Sequence, residues 1–219
     1  MHAIFTAILE DDRDQVKKLL KADAALTNSV TDIANLYESK IFHWLYVGDT
    51  SLHLAAAGYR VEIAKLLLSA GANPNAAANM RRSGPLHYAA DGNGLDWDTA
   101  RQVKTIQLLL GAGATINAQD KNGATPLHRA VRTRSAAAVH CLLKAGADPT
   151  LRNKPGSTPF HLAVQNTGRG GSGTDSAIAA LRQIIQAFLV YGVSTKQTDG
   201  GGKTVLDWAR SGWIRVLLA

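Results

Sequence analysis

Two glycine-rich stretches and four histidines are the residues of this chain whose types and spacing could do chemistry. Residues 168–173 read GRGGSG, a Gly-x-Gly-x-x-Gly spacing that in a dinucleotide loop lets backbone amides approach a pyrophosphate. Residues 199–204 read DGGGKT and end in the Gly-Lys-Thr of a triphosphate-binding loop. His53, His87, His128 and His161 could together suggest a metal cluster, and Glu10, Asp11, Asp12 and Asp14 a carboxylate pair or cation site. Cys141 is the single cysteine.

Each of these needs particular flanking elements. A dinucleotide loop wants a strand before its first glycine and a long helix after its last. GRGGSG follows a helical segment, TPFHLAVQN, and no parallel-sheet pattern occurs elsewhere. The triphosphate motif would need glycine at Gln197 and a strand before it, and its Lys203-Thr204 pair opens a helix. Both stretches therefore read as loops. Cys141 lies in the apolar run VHCLLKAG and reads as a buried thiol.

The chain has 219 residues, 46% of them hydrophobic, enough for a sizeable core. No apolar run approaches the ~20 residues that span a bilayer. The start, MHAIFTAILEDDRDQ, lacks a basic region ahead of its apolar stretch and is a poor secretory signal. With a lone cysteine, this places the chain in the reducing cytoplasm, while export into a host cell stays open. The net charge of +7 is uneven: −3 over residues 1–38, 0 over 39–100 and +10 over 101–219. Such asymmetry points to an anionic partner or to a solvated surface.

An internal repeat positions all of these residues. TSLHLAAAG (from Thr50), GPLHYAADG (from Gly84), TPLHRAVRT (from Thr125) and TPFHLAVQN (from Thr158) align, and TVLDWARSG (from Thr204) follows with Asp207 for His. Each of the first four precedes a leucine-striped segment ending at Gly71, Gly113, Gly146 or Gly192. Thr suits an N-cap, Pro the first helical turn and Gly a left-handed helix stop. Neither helix can bury its apolar face alone, so the repeats must stack.

The Thr-Pro-Leu-His-x-Ala signature and a period near 33 resemble the ankyrin-repeat family over nearly the whole chain. The resemblance implies an all-α solenoid of helix-turn-helix repeats with β-hairpin fingers. The expected organisation is one domain: a degenerate repeat over 1–29 with Asp23 at the usual glycine, an aromatic insertion over 30–44, and repeats over 45–78, 79–119, 120–152 and 153–198. A C-terminal cap follows over 199–219. Two insertions separate first from second helices, one near GNGLDWDTA and one containing the glycine-rich loop 167–174.

Helices stacked ~8–10 Å apart hold the imidazoles of successive repeats too far apart to share one ion, and the resemblance implies that each histidine hydrogen-bonds within and between repeats. No catalytic set, cofactor or metal is expected. The family's partner surface is the concave groove of fingertips and exposed first-helix sides. Carried over residue by residue, it gives Tyr46 and Val47, Met80 and Arg81, Lys121 and Asn122, Lys154 and Pro155, and Gly200 and Gly201 at the fingertips. The helices supply Ala57 and Gly58, Asp91 and Gly92, Arg132 and Thr133, and Gln165 and Asn166, with Arg152 and Lys203 bordering.

Two departures from the family stand out. Arg129 replaces a usual leucine and is followed by Arg132 and Arg134; the three read either as a solvated face or as forks for a ligand's carboxylates or phosphates. Arg82 replaces the fingertip glycine, which puts that finger's shape in question. Tyr37, Phe42 and Trp44 either cap the core or anchor a partner. The function expected is non-catalytic binding of an acidic protein or peptide, with polyanion or nucleic-acid binding through the basic half as the alternative. The chain is expected to be a monomer away from membranes, and a weak dimer through the aromatic insertion stays open.

Overall fold

Threonine at positions 50, 125, 158 and 204 sets the pattern of a computed structural model that describes all residues except 1–2, 33, 37–40, 42, 93–97 and 166–172. Among the described residues six helix pairs stack in chain order. The first is α1 (Ala3–Leu9) with α2 (Arg13–Ala22), the second α3 (Ser51–Ala57) with α4 (Val61–Ser69), and the third α5 (Pro85–Ala90) with α6 (Thr99–Gly111). Then come α7 (Pro126–Arg132) with α8 (Ala136–Lys144), α9 (Pro159–Gln165) with α10 (Asp175–Val190), and α11 (Val205–Trp208) with α12 (Gly212–Leu218). First helices pack on first helices and second on second, so one apolar core, including Phe5, Leu52, Ile63, Ile106, Leu142, Phe160 and Phe188, runs the length of the stack.

Gly71, Gly113, Gly146 and Gly192 end their second helices at φ of 90°, 88°, 89° and 72°, the left-handed stop expected of them. Asp23, which stands in their place after α2, stays extended at φ −147°. Its carboxylate accepts from Ala25 N–H, and the chain turns into a 3₁₀ helix over Ala24–Asn28. Asp12 caps α2 by accepting from Gln15 N–H, and Asp14 occupies the first turn, where its charge meets the positive helix end.

The insertions between first and second helices contribute helix. The second helices α6 and α10 have 13 and 16 residues, against 9 in α4 and α8. Part of each insertion has wound onto the front of its second helix, capped by Asp98 on Arg101 N–H and by Thr174 on Ala177 N–H. Of the glycine-rich loop, 167–172 lie outside the described residues.

The insertion before the second repeat lengthens a finger. Val30 bridges Thr50, and β1 (Asn35–Leu36) pairs antiparallel with β2 (Trp44–Leu45) in the register Asn35–Leu45, Leu36–Trp44. No helix among the described residues is long and apolar enough to cross a membrane.

Candidate functional site

The histidines tie neighbouring repeats together. In the fourth repeat Nδ1 of His128 accepts the N–H of Thr125 at 3.2 Å and lies 2.9 Å from its hydroxyl. That fixes the tautomer, so Nε2–H donates to the carbonyl of Ser157 in the next finger at 3.0 Å. His53 reaches Ser83 at 2.9 Å, His87 reaches Ala124 at 3.1 Å and His161 reaches Lys203 at 3.1 Å in the same way. Burial pushes all four imidazoles below their ordinary pKa, His87 to about 4 with Arg129 adding to the effect. Both nitrogens of each ring are thus occupied by protein. Asp207 makes the within-repeat contact with Thr204 N–H at 2.8 Å but has no ring to send onward.

The amides of the GGGKT turn are similarly spent. Gly201 and Lys203 both donate to Asp199 Oδ1 at 2.8 Å, and Gly200 donates to the Gly156 carbonyl at 2.8 Å. The Thr204 hydroxyl donates to Asp207. GRGGSG falls almost wholly outside the described residues, with Gly173 alone inside them. Cys141 is buried, and burial raises its thiol.

The groove is built from fingertips linked by backbone bonds. Lys121 N–H donates to the Arg81 carbonyl at 2.7 Å and Lys154 N–H to the Asn122 carbonyl at 2.8 Å. Arg82 adopts φ +52°, and its N–H donates to the Asn79 carbonyl at 2.9 Å, the bond that Gly123 and Gly156 make at 2.8 Å. The third finger therefore keeps the common turn, with the strain carried by Arg82.

Over the second and third repeats the groove is covered by the chain's own insertion. Ile41 is buried against the end of α3, where a Cβ on Gly58 would stand 2.4 Å from Ile41 Cγ2. His43 lies on Tyr88, ring centroids 4.7 Å apart, with Nε2 3.2 Å from Asp91 Oδ2. Ala57 and Asp91, expected to face a partner, are buried, and Gly92 N–H is held by the Thr133 hydroxyl at 2.8 Å. The expectation that these positions line an open groove is corrected. Trp44 stays 44% exposed beside Tyr46, on whose ring Arg81 stacks at 4.9 Å, and Met80 is exposed at the neighbouring tip. Tyr37 and Phe42 lie outside the described residues.

Arg129 is neither a solvated face nor a ligand fork. It is buried, Nη1 3.1 Å from Asp91 Oδ2 and Nη2 3.0 Å from Ser83 Oγ, with Nε facing Asp120 at 3.8 Å. Burial alone would raise the Asp91 carboxyl, yet Arg129, His43 and Arg132 hold it down to about 2. A second buried carboxylate, Asp49, accepts from the Tyr88 hydroxyl at 2.7 Å and from Asn79 Nδ2 at 2.7 Å. Sequence reasoning missed both hubs. The one signal was arginine in a leucine's place, readable as a buried pair only with Asp91 and Asp120 already set beside it.

The structure sorts the other candidates. Arg132 is half exposed, with Nη2 3.4 Å from Asp91 Oδ1. Lys121, Asn122 and Lys154 are exposed at adjacent tips, Gln165 at the end of α9 and Lys203 before α11. Arg152 donates twice to the Thr198 carbonyl, at 2.7 and 3.2 Å, so it ties fingers together. The Thr133 hydroxyl is committed to Gly92 and to the Arg129 carbonyl, and Arg134 sits at φ +60° in the turn between α7 and α8. Among the described residues, Lys121, Arg132 and Lys154 stay exposed over the fourth and fifth repeats, Arg132 and Lys154 lining one slot there.

Comparison with known proteins gives the same repeat. A model of three ankyrin-repeat copies matches residues 98–172, and a single ankyrin repeat matches 47–79. Similar proteins include the neurogenic locus Notch protein of Drosophila melanogaster, 37% identical over 56% of this chain. Others are the human notch homolog protein 4, 42% identical over 41%, and the mouse ankyrin repeat and SOCS box protein 6, 31% identical over 42%. The matched stretch is 4%, 4% and 20% of those proteins.

Proposed function

Because the chain belongs to the ankyrin-repeat family, a family of generally non-catalytic interaction modules, we propose that it binds an acidic protein or peptide in the open, C-terminal part of its concave groove. One observation carries this reading. Lys121 and Lys154 have no acid within ion-pair reach among the described residues, and Arg132 shares Asp91 with two other partners. Exposed cations lacking counter-charges, set along a groove, attract a carboxylate-rich segment and can seat it through charge-assisted hydrogen bonds.

The competing reading is diffuse polyanion binding, favoured by the net +10 of residues 101–219. Single-strand binders interleave such cations with aromatic platforms. Among the described residues the strip over the fourth and fifth repeats offers none, Phe160 being buried. Titration with a blocked hexaglutamate peptide and with a single-stranded oligonucleotide of equal charge, each over a salt series, separates the two. The groove reading expects tighter binding of the peptide at every salt concentration. Tighter binding of the oligonucleotide, with a steep salt slope, would contradict it.

A further inference from the structure

Between the fingertips of the fourth and fifth repeats the groove deepens into a slot of about 310 Å³, the small end of the range for ligand pockets. Asn122, Arg132, Asn153 and Lys154 are among its polar groups, with Asp120, His128 and Arg129 behind them, and Leu162 and Pro155 are among its apolar ones. We propose that this slot is a carboxylate site, taking one glutamate or aspartate side chain of an acidic partner protein. The proposal rests on the groove reading above and narrows it to one anchor.

Donors outnumber acceptors in the slot. The Lys154 ammonium and the side-chain amides of Asn122 and Asn153 have unused donors among the described residues, and Arg132 has a single weak contact. Asp120 is the one acid in the lining; its Oδ1 is hydrogen-bonded and its charge is opposed by Arg129. Oδ1 accepts from Asn122 and Ala124 N–H at 2.8 and 3.0 Å, while Oδ2 faces Arg129. A ligand that supplies only acceptors fits this surplus, and an aliphatic stem behind the carboxylate fits Leu162 and Pro155.

The choice of asparagine at position 153 carries the inference furthest. The same finger position holds Asp120 in the fourth repeat and Asp199 in the cap. All three residues do the same structural work with Oδ1, accepting the N–H of Ser157, Ala124 or Lys203 at 2.9, 3.0 and 2.8 Å. Aspartate would therefore serve the finger equally well. What asparagine adds is Nδ2, a donor, and the absence of a negative charge. Asn79, at this position in the third finger, spends its Nδ2 on Asp49 and the Ser83 carbonyl. Asn153 spends it on none of the described residues and lines the slot instead.

Asn153→Asp is thus a substitution that the finger tolerates and the slot does not. Gln107→Glu makes the same change of charge on the exposed side of α6, away from the groove. With the full chain and blocked hexaglutamate as probe, Asn153→Asp should weaken binding at least tenfold, like charges being strongly unfavourable at close range. Gln107→Glu should weaken it less than twofold, and both variants should melt as the parent does. Should Asn153→Asp melt early, Lys154→Gln, a change at an exposed tip, must produce the loss instead. Equal effects of Asn153→Asp and Gln107→Glu, or full affinity in Lys154→Gln, would overturn the slot while leaving the wider groove standing. Failure of the parent chain to bind hexaglutamate, alongside binding of an oligonucleotide, would overturn both.

Discussion

Nη1 of Arg129 lies 3.1 Å from Oδ2 of Asp91, one repeat away, and both side chains are buried. The positions equivalent to Arg129 in the second and fifth repeats hold Leu54 and Leu162, so an apolar residue is compatible with the backbone there. Breaking a buried pair from one side leaves a charge without compensation, a loss of about 3–5 kcal/mol. Arg129→Leu should therefore melt well below the parent. Adding Asp91→Asn should recover a large part of the loss, because the two changes are coupled. Additive losses in a double-mutant cycle would show that the pair is not a unit.

The four tie histidines make stability depend on pH. His87 has a folded pKa of about 4, below the ~6.5 of an unfolded imidazole, and the other three shift in the same direction. The unfolded chain then takes up protons that the folded chain refuses. The contribution is complete above about pH 6.5 and is lost as pH falls through 4, on the order of 3 kcal/mol for His87 alone. Denaturant midpoints measured from pH 7 to pH 4 should fall steadily. A flat profile would mean that the rings are accessible and protonate in place.

The close approach of Ile41 to Gly58 gives a clean test of how the insertion sits. Gly58 has φ −89°, so alanine meets no backbone strain there; its Cβ would clash with Ile41 Cγ2 at 2.4 Å and touch the Arg60 side chain at 3.3 Å. Gly58→Ala should cost about 1–3 kcal/mol through overpacking. Gly58→Ala combined with Ile41→Ala should recover most of it. Gly58→Ala with an unchanged melting midpoint would place the insertion elsewhere.

Arg82 is strained where its fingertip equivalents are glycine. Left-handed backbone costs a side-chain-bearing residue about 1–2 kcal/mol, partly offset by the entropy that glycine loses on folding. Arg82→Gly should leave stability unchanged or raise it by up to about 1 kcal/mol, read from thermal unfolding. A clear loss would reveal packing by the Arg82 side chain.

The solenoid was legible because its signals are local and recur. Thr125 and His128 lie three residues apart, and Gly146 needs only its own φ to end a helix, so one repeat read correctly gives the others. The groove was legible only as a row of positions. What closed half of it was Ile41 reaching Gly58 and His43 reaching Asp91, contacts across 17 and 48 residues made by a segment outside the repeat. Arg129 was misread for the same reason: its partner sits in another repeat, and an arginine shows its charge in a sequence but not its burial. Arg152 and Thr133, placed on the groove by position, turned out to spend their donors on Thr198 and on the Arg129 carbonyl.

On the groove reading, a partner feels charge at the open strip and not over the whole basic half. Lys121, Arg132 and Lys154 changed together to Ala remove three charges from the open strip. Lys65, Lys104 and Lys144 changed to Ala remove three from the exposed sides of α4, α6 and α8. Long-range attraction falls about equally in the two variants. Hydrogen bonds to charged groups, worth about 1.5–3 kcal/mol each, are lost only in the first. The decisive measurement is the affinity of both variants for blocked hexaglutamate at one fixed salt concentration. The groove variant should lose at least tenfold and the second-helix variant little; equal losses in the two would rule out recognition at the groove.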